Sequence, residues 1–188
     1  MCAKKAVVIT GPSGAGKSTV LARLVAKRPE LFSFAVSATT RSIRPGEKDG
    51  REYHFVTKTE FERKIEGGEF VEHATFAENL YGTPFSELQK TPPNKICILD
   101  IEKNGVLALL GKKHCIDAEL FLVCITVDTE TLRQRLHTRG EEHAEQRINE
   151  NMAKKHDEDI GYNLMLRNSD SDETAETILE ETLRFFKY

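Results

Sequence analysis

Residues Gly11 to Ser18 read G-P-S-G-A-G-K-S, and this stretch decides the fold. It fits G-x-x-x-x-G-K-[ST] at every fixed position, follows the apolar run Ala6-Val7-Val8-Ile9 and opens the helix-compatible stretch Thr19 to Lys27. A strand, a glycine-rich turn and a helix N-terminus together form a nest of backbone N–H groups that suits phosphate oxygens, and the helix dipole adds to its positive end. In such a loop Lys17 reaches the β- and γ-phosphates and the Ser18 hydroxyl serves Mg²⁺. The residues expected to touch the nucleoside triphosphate are therefore Gly11, Pro12, Ser13, Gly14, Ala15, Gly16, Lys17, Ser18 and Thr19.

Strand and helix signals alternate along all 188 residues, which predicts an α/β fold with a mainly parallel sheet. Strands are expected at Ala6–Thr10, Phe34–Ser37, His54–Val56, Phe70–Phe76, Ile96–Leu99, Leu120–Val127 and Leu164–Leu166. Helices are expected at Lys17–Lys27, Thr59–Glu66, Phe85–Leu88, Glu102–Leu110, Thr129–Thr138, Ala144–Ile160 and Glu173–Phe186. Thr57-x-x-Glu60 reads as a capping box, and Gly67-Gly68 as the stop behind that helix. Ala175, Ile178, Leu179, Thr182, Leu183 and Phe186 recur at a helical period and mark a core face. From Arg41 to Tyr81 the rhythm breaks into turn-rich sequence, which reads as an inserted lobe. The polar stretch from Arg139 to His156 suits a helical lid.

Composition narrows the classes. The chain is 39% hydrophobic and 30% charged, which fits one compact α/β domain. Its net charge of −3 disfavours a dedicated nucleic-acid binder. Cys2, Cys97, Cys115 and Cys124 show no paired spacing and read as reduced thiols, and the six histidines are scattered, without zinc spacing. No signal peptide, lipidation motif or run long enough to span a bilayer is visible, so a soluble, cytoplasmic protein with no membrane partner is expected.

Four further features bear on chemistry. Arg41 and Arg44, beside Tyr53 and several hydroxyl side chains, suit a cradle for a phosphate monoester, although a solvated charged turn fits the same residues. A buried Glu72 offers two acceptors to the N1–H and N2–H₂ donors of guanine, while Thr83 suits its O6; adenine lacks that donor pair. Ile96-Cys97-Ile98-Leu99-Asp100 is an apolar strand ending in a carboxylate, which beside a phosphate-binding loop suits Asp100 to the Mg²⁺ and acceptor environment with Glu102 beside it, although a strand-capping Asp is often merely structural. Arg135 and Arg139 fall on one helix face, with Arg147 further on; Arg133 reads as surface.

Taken with V-S-A-T-T-R-S-I-R-P-G-E-K-D-G-R-E-Y-H-F, N-L-Y-G-T and I-C-I-L-D-I-E, the loop makes the chain resemble the guanylate kinases from Ala6 to about Phe186. The resemblance implies a P-loop NTPase-type three-layer core (1–36, 91–134 and 157–188), a GMP-binding lobe (37–90) and a lid (about 135–156). It implies that Ser37, Arg41, Arg44, Glu47, Tyr53, Glu72, Tyr81 and Thr83 surround GMP, joined by Asp100 and Glu102. It also implies that Arg135, Arg139 and Arg147 fold over the triphosphate and that Asn168 flanks the adenine. The catalytic set is then Lys17, Arg41, Arg135, Arg139 and Arg147, with Ser18 and Asp100 serving the metal. The expected activity is ATP-dependent phosphorylation of GMP and dGMP with Mg²⁺, by a monomer or weak homodimer. His73 stands where this family often has Trp, Glu141-Glu142 follows Arg139-Gly140 without the usual hydroxyl residue, and Asn168-Ser169-Asp170 replaces Asn-Asp-Asp. A catalytically silent scaffold module of the same fold is the rival reading, and the intact Lys17, Ser18, Arg41 and Asp100 argue against it.

Overall fold

The alternation of apolar strands with amphipathic helices resolves, in a computed structural model describing residues 3–76, 78–113, 116–138 and 160–188, into β1 (Lys4–Thr10), α1 (Lys17–Lys27), β2 (Phe32–Phe34), β3 (Ala38–Thr39), β4 (His54–Phe55), α2 (Lys58–Glu66), β5 (Phe70–Phe76), β6 (Asn79–Pro84), α3 (Phe85–Lys90), β7 (Ile96–Asp100), α4 (Lys103–Gly111), β8 (Ala118–Thr126), α5 (Thr129–Thr138), β9 (Leu164–Arg167) and α6 (Ser171–Phe185). The chain divides into two units. The first holds Met1–Ala6 and Leu31–Glu119, the second Val7–Glu30 and Leu120–Tyr188, so β1 contributes to both. The expected lid, apart from its first residues on α5, lies outside the described residues, as do the expected helix Ala144–Ile160 except for its last residue, Arg139, Arg147, Cys2 and Cys115.

In the first unit β2 pairs in parallel with β7, Phe32 opposite Ile96 and Phe34 opposite Ile98, in the order β2-β7-β1. Ile96, Cys97, Ile98 and Leu99 are all buried, as expected for a parallel strand covered on both faces. Burial pushes the Cys97 thiol up to about 11, so it stays a protonated core group. A second sheet runs β4-β3-β6-β5, with β3 parallel to β4 and antiparallel to β6, and β5 antiparallel to β6. Against it packs α2, whose Thr57–Glu60 capping box is formed in both directions. Its buried Phe61 stacks on Phe70 at 4.5 Å between ring centroids, with Ala38 in the same cluster.

One strand expectation needs correction. Phe34–Ser37 is not a single strand: β2 ends at Phe34 in one sheet and β3 begins at Ala38 in the other. The crossing is held by side-chain and main-chain partners, Ala35 N–H donating to Ile98 O at 3.0 Å and Val36 N–H to Glu87 Oε2 at 3.2 Å. Conversely β6 was not expected as a strand, because Asn79, Gly82 and Pro84 give its sequence the look of a turn.

In the second unit the order is β1-β8-β9, with β8 and β9 parallel through Val123–Leu164 and Thr126–Arg167. Helix α6 packs on α1. The buried residues of α6 (Ala175, Ile178, Leu179, Thr182) and of α1 (Val20, Leu21, Leu24) recur at helical spacing, and Leu183 is half-buried. Beside that interface Arg23 pairs with Asp172 and Lys27 with Glu176. These pairs are exposed to solvent and each contributes little.

Thr182 is fully buried, and among the described residues its hydroxyl has no hydrogen-bond partner. An unpaired buried hydroxyl costs about 1–3 kcal/mol, and Val has the same shape and the same χ1 restriction in a helix. Thr182→Val is therefore expected to raise the Tm by about 2–4 °C, the shift for about 1 kcal/mol in a chain of this size. A lowered Tm in a thermal melt would show that this hydroxyl is bonded in solution.

Candidate active site

The glycine-rich loop bridges β1 and α1 inside the second unit. Ala15 N–H donates to Pro12 O at 3.1 Å, closing a tight turn, and Val20 N–H donates to Gly16 O at 3.0 Å as the helix begins. Gly16 is the N-cap of α1 at φ 87°, a left-handed conformation that side chains disfavour. A Cβ there would also stand 2.5 Å from Asn168 Nδ2. Among the described residues, no side chain caps the first turn of α1 and no acidic residue occupies it. Helices α2 and α6, by contrast, are capped by Thr57 and Asp170. The uncapped N–H groups of α1 and its dipole are suited to bind an anion.

Cations and an amide surround this loop. Lys17 Nζ donates to Gly11 O at 2.7 Å and sits 3.5 Å from Pro12 O, which folds the side chain back along the loop. Arg135, on α5, places Nη1 3.3 Å from both Gly14 O and Ala15 O. Ser18 and Thr19 are exposed at the start of α1. Asn168 is fully buried: its Nδ2 donates to Ala15 O at 2.7 Å, and its Oδ1 accepts from Thr174 Oγ1 at 3.2 Å and Ser171 Oγ at 3.4 Å. Its side chain thus ties the loop to the start of α6. The signal for it in the sequence was slight, a polar residue closing a strand two positions before a helix cap.

The acceptor candidates lie in the first unit. The β5–β6 register sets Glu72 opposite Thr83. Thr83 Oγ1 donates to Glu72 Oε1 at 2.7 Å, which leaves the Ser37 hydroxyl, 3.0 Å away, to donate to Thr83. Glu72 is 4% exposed, and burial pushes its carboxyl above the ordinary range. The Thr83 donors and the Lys112 charge oppose that rise, and Glu102 adds to it.

Nearby stands a second cluster. The Arg41 guanidinium takes both oxygens of Glu47, Nη1 to Oε2 at 3.0 Å and Nη2 to Oε1 at 2.9 Å, and also donates to Ser42 O at 2.7 Å. It lies 5.4 Å from the Tyr53 ring centroid and 5.6 Å from that of Phe55, so ring faces and a carboxylate fix its plane. Glu47 Oε2 further accepts the Arg44 N–H at 2.8 Å, so this carboxylate organises the turn and Arg41. The Arg44 side chain is exposed. Tyr53 meets Tyr81 edge-on at 5.9 Å between centroids, and its phenol is pushed up by burial first and then by the charge of Asp100. Asp100 ends β7 exposed, and the exposed Glu102 is the N-cap of α4.

The structure therefore groups Ser37, Thr83 and Glu72 in one relay and Arg41, Glu47, Tyr53 and Tyr81 in another. A sequence profile of the guanylate kinases matches residues 3–184. The chain belongs to the guanylate kinase family. The guanylate kinase of Homo sapiens is 49% identical over 107 residues, which are 56% of this chain and 54% of that protein. The guanylate kinase of Sus scrofa is 41% identical over 143 residues, 76% of this chain and 71% of that protein. The match thus spans about half the length of the human relative and nearly three quarters of the pig one. The crystal structure of guanylate kinase from Anaplasma phagocytophilum aligns with a TM-score of 0.66 at 27% identity, over 98% of this chain and 86% of that one. The chain is α/β, with a mainly parallel sheet and a smaller mixed one. Among the described residues no helix is long and apolar enough to cross a membrane.

Proposed function

We propose that this chain transfers the γ-phosphoryl group of ATP to GMP or dGMP, giving ADP and GDP or dGDP. The observation that carries the reading is the relay from Ser37 through Thr83 to the buried Glu72. A buried carboxylate already holding one donor and still rich in lone pairs matches the N1–H and N2–H₂ pair of guanine, while adenine would leave it unpaired. Membership of the guanylate kinase family supports the same substrate pair.

On this reading Arg41, Arg44, Tyr53 and Tyr81 receive the GMP phosphate, and Glu47 positions Arg41 for it. Asp100 and Glu102 serve the acceptor side. The loop from Gly11 to Thr19 binds the triphosphate, Asn168 holds the loop, and Lys17 and Arg135 offset charge on the transferring group. Arg139 and Arg147 join them from a lid over about 135–156, and residues 37–90 form the GMP lobe. The attacking phosphate oxygen is already anionic, so no general base is required, and catalysis reduces to positioning and charge neutralisation. The hydroxyl of Ser18 and the carboxylate of Asp100 are both exposed oxygen donors, the hard ligands that Mg²⁺ accepts in small number alongside substrate phosphates. These two residues would hold it, and the ion supplies Lewis-acid neutralisation of phosphate charge. A cytoplasmic monomer or weak homodimer completes the reading.

The test is ATP consumption with Mg²⁺ and each of GMP, dGMP, AMP, CMP and UMP. GMP and dGMP are expected to be preferred over AMP by about 10³-fold or more in kcat/KM. Absence of turnover with GMP, combined with tight phosphopeptide binding, would establish the scaffold alternative instead.

A further inference from the structure

Gly105 lies buried inside α4, where glycine weakens a helix by about 0.5–1 kcal/mol relative to alanine. The position has a steric reason. A Cβ built on Gly105 would stand 2.6 Å from Glu72 Oε2 and 3.2 Å from Glu72 Cδ, with Ile101 Cβ next at 3.4 Å. The helix backbone thus reaches the rear of the carboxylate whose other oxygen accepts from Thr83. At its far end α4 is tied to the same strand, Lys112 Nζ donating to Phe70 O at 3.1 Å, and Val106 and Leu109 bury in between. A helix so anchored does not back away easily, whereas a carboxylate at the end of a side chain does.

We propose that Gly105 is a specificity-determining position: its missing side chain lets the Glu72 carboxylate sit where it meets the guanine edge. The inference rests on the reading that Glu72 faces the base of GMP. Gly105 touches no reacting atom and acts through Glu72, so it is a positioning residue.

The experiment is Gly105→Ala, with GMP and IMP as acceptors and calorimetric GMP binding as the second readout. The displaced carboxylate is expected to raise the KM and Kd for GMP about tenfold, with ATP KM and kcat within about threefold. The advantage of GMP over IMP, which lacks the 2-amino donor, shrinks. Repeating the substitution on Glu72→Ala separates a local effect on Glu72 from general damage: the loss on adding Gly105→Ala should vanish there. Melting temperatures carry the same cycle if the single variant folds poorly, since Gly105→Ala should be neutral or stabilising only when the Glu72 side chain is gone. An unchanged GMP Kd, or a Tm loss equal in both backgrounds, overturns the proposal. A wild-type chain inactive on GMP overturns the underlying reading, which is a different outcome.

Discussion

Lys17→Ala is expected to lower kcat for GMP phosphorylation by about 10³-fold while the GMP KM stays within about threefold of wild type. Lys17 opens α1, whose first turn has no side-chain cap among the described residues, and its Nζ rests on Gly11 O and Pro12 O. Those carbonyls park the cation beside the loop, where a triphosphate would exchange weak neutral partners for anionic ones. Charge moves within the transferring group as the donor bond breaks, so a fixed cation there is worth more in the transition state than in the ground state. A factor of 10³ corresponds to about 4 kcal/mol. Lys17→Arg is not expected to restore activity, because a planar guanidinium does not reproduce a compact ammonium packed against two carbonyls. The fold should survive, since the core side chains of α1 are Val20, Leu21 and Leu24. Steady-state assays of both variants, each with a thermal melt, decide the matter; a kcat for Lys17→Ala within threefold of wild type would remove Lys17 from the chemistry.

Features written in local sequence were legible. Helix α1 and strand β5 fall at their expected bounds and α5 begins where expected, because each carries an unbroken period or a clear start. The Thr57–Glu60 box forms because both halves lie within one turn of chain. What escaped was nonlocal. Strand β6 looks like a turn in isolation and becomes a strand through pairing with both β3 and β5. The break between Phe34 and Ala38 depends on which sheet each side joins, and no residue in that stretch announces it.

The site divides in the same way. The chemistry of Glu72 and Thr83 suggested guanine from sequence alone, and the register then set the two opposite each other. The bidentate grip of Glu47 on Arg41 spans a six-residue turn, so neither helical nor strand spacing revealed it. Asn168 reaches Ala15 across more than 150 residues. Gly105 left no signal, because a buried glycine in a helix reads as a mild defect until its neighbour is known.

Glu72→Gln is expected to lower kcat/KM for GMP by about 10²–10³-fold and to leave the slow reaction with AMP unchanged. Gln keeps one carbonyl acceptor but exchanges the other oxygen for an N–H₂ group, which would face the donor edge of guanine with another donor. In a pocket this buried, that mismatch is not relieved by water. Protonation has a related effect, since it turns one acceptor into a donor. Burial raises the Glu72 pKa against the opposing Thr83 donors and Lys112 charge. GMP use should therefore decline on the acid side at a higher pH than an ordinary glutamate would give, and Glu72→Gln should lose that limb. The same shift fixes the sign for stability. With the folded pKa above the unfolded one, the stabilising contribution is complete below the ordinary carboxylate range and is lost as pH rises through the folded pKa. Ionisation of Glu72 in the folded chain thus weakens the fold. As the pH is lowered from neutral to below the ordinary carboxylate range, the stability of the wild type relative to Glu72→Gln should shift in the wild type's favour, measured by urea unfolding across that range. A gap that does not move with pH would mean that Thr83 and Lys112 fully compensate the burial. An unchanged kcat/KM for GMP would remove Glu72 from the base-binding site, and the guanine reading with it.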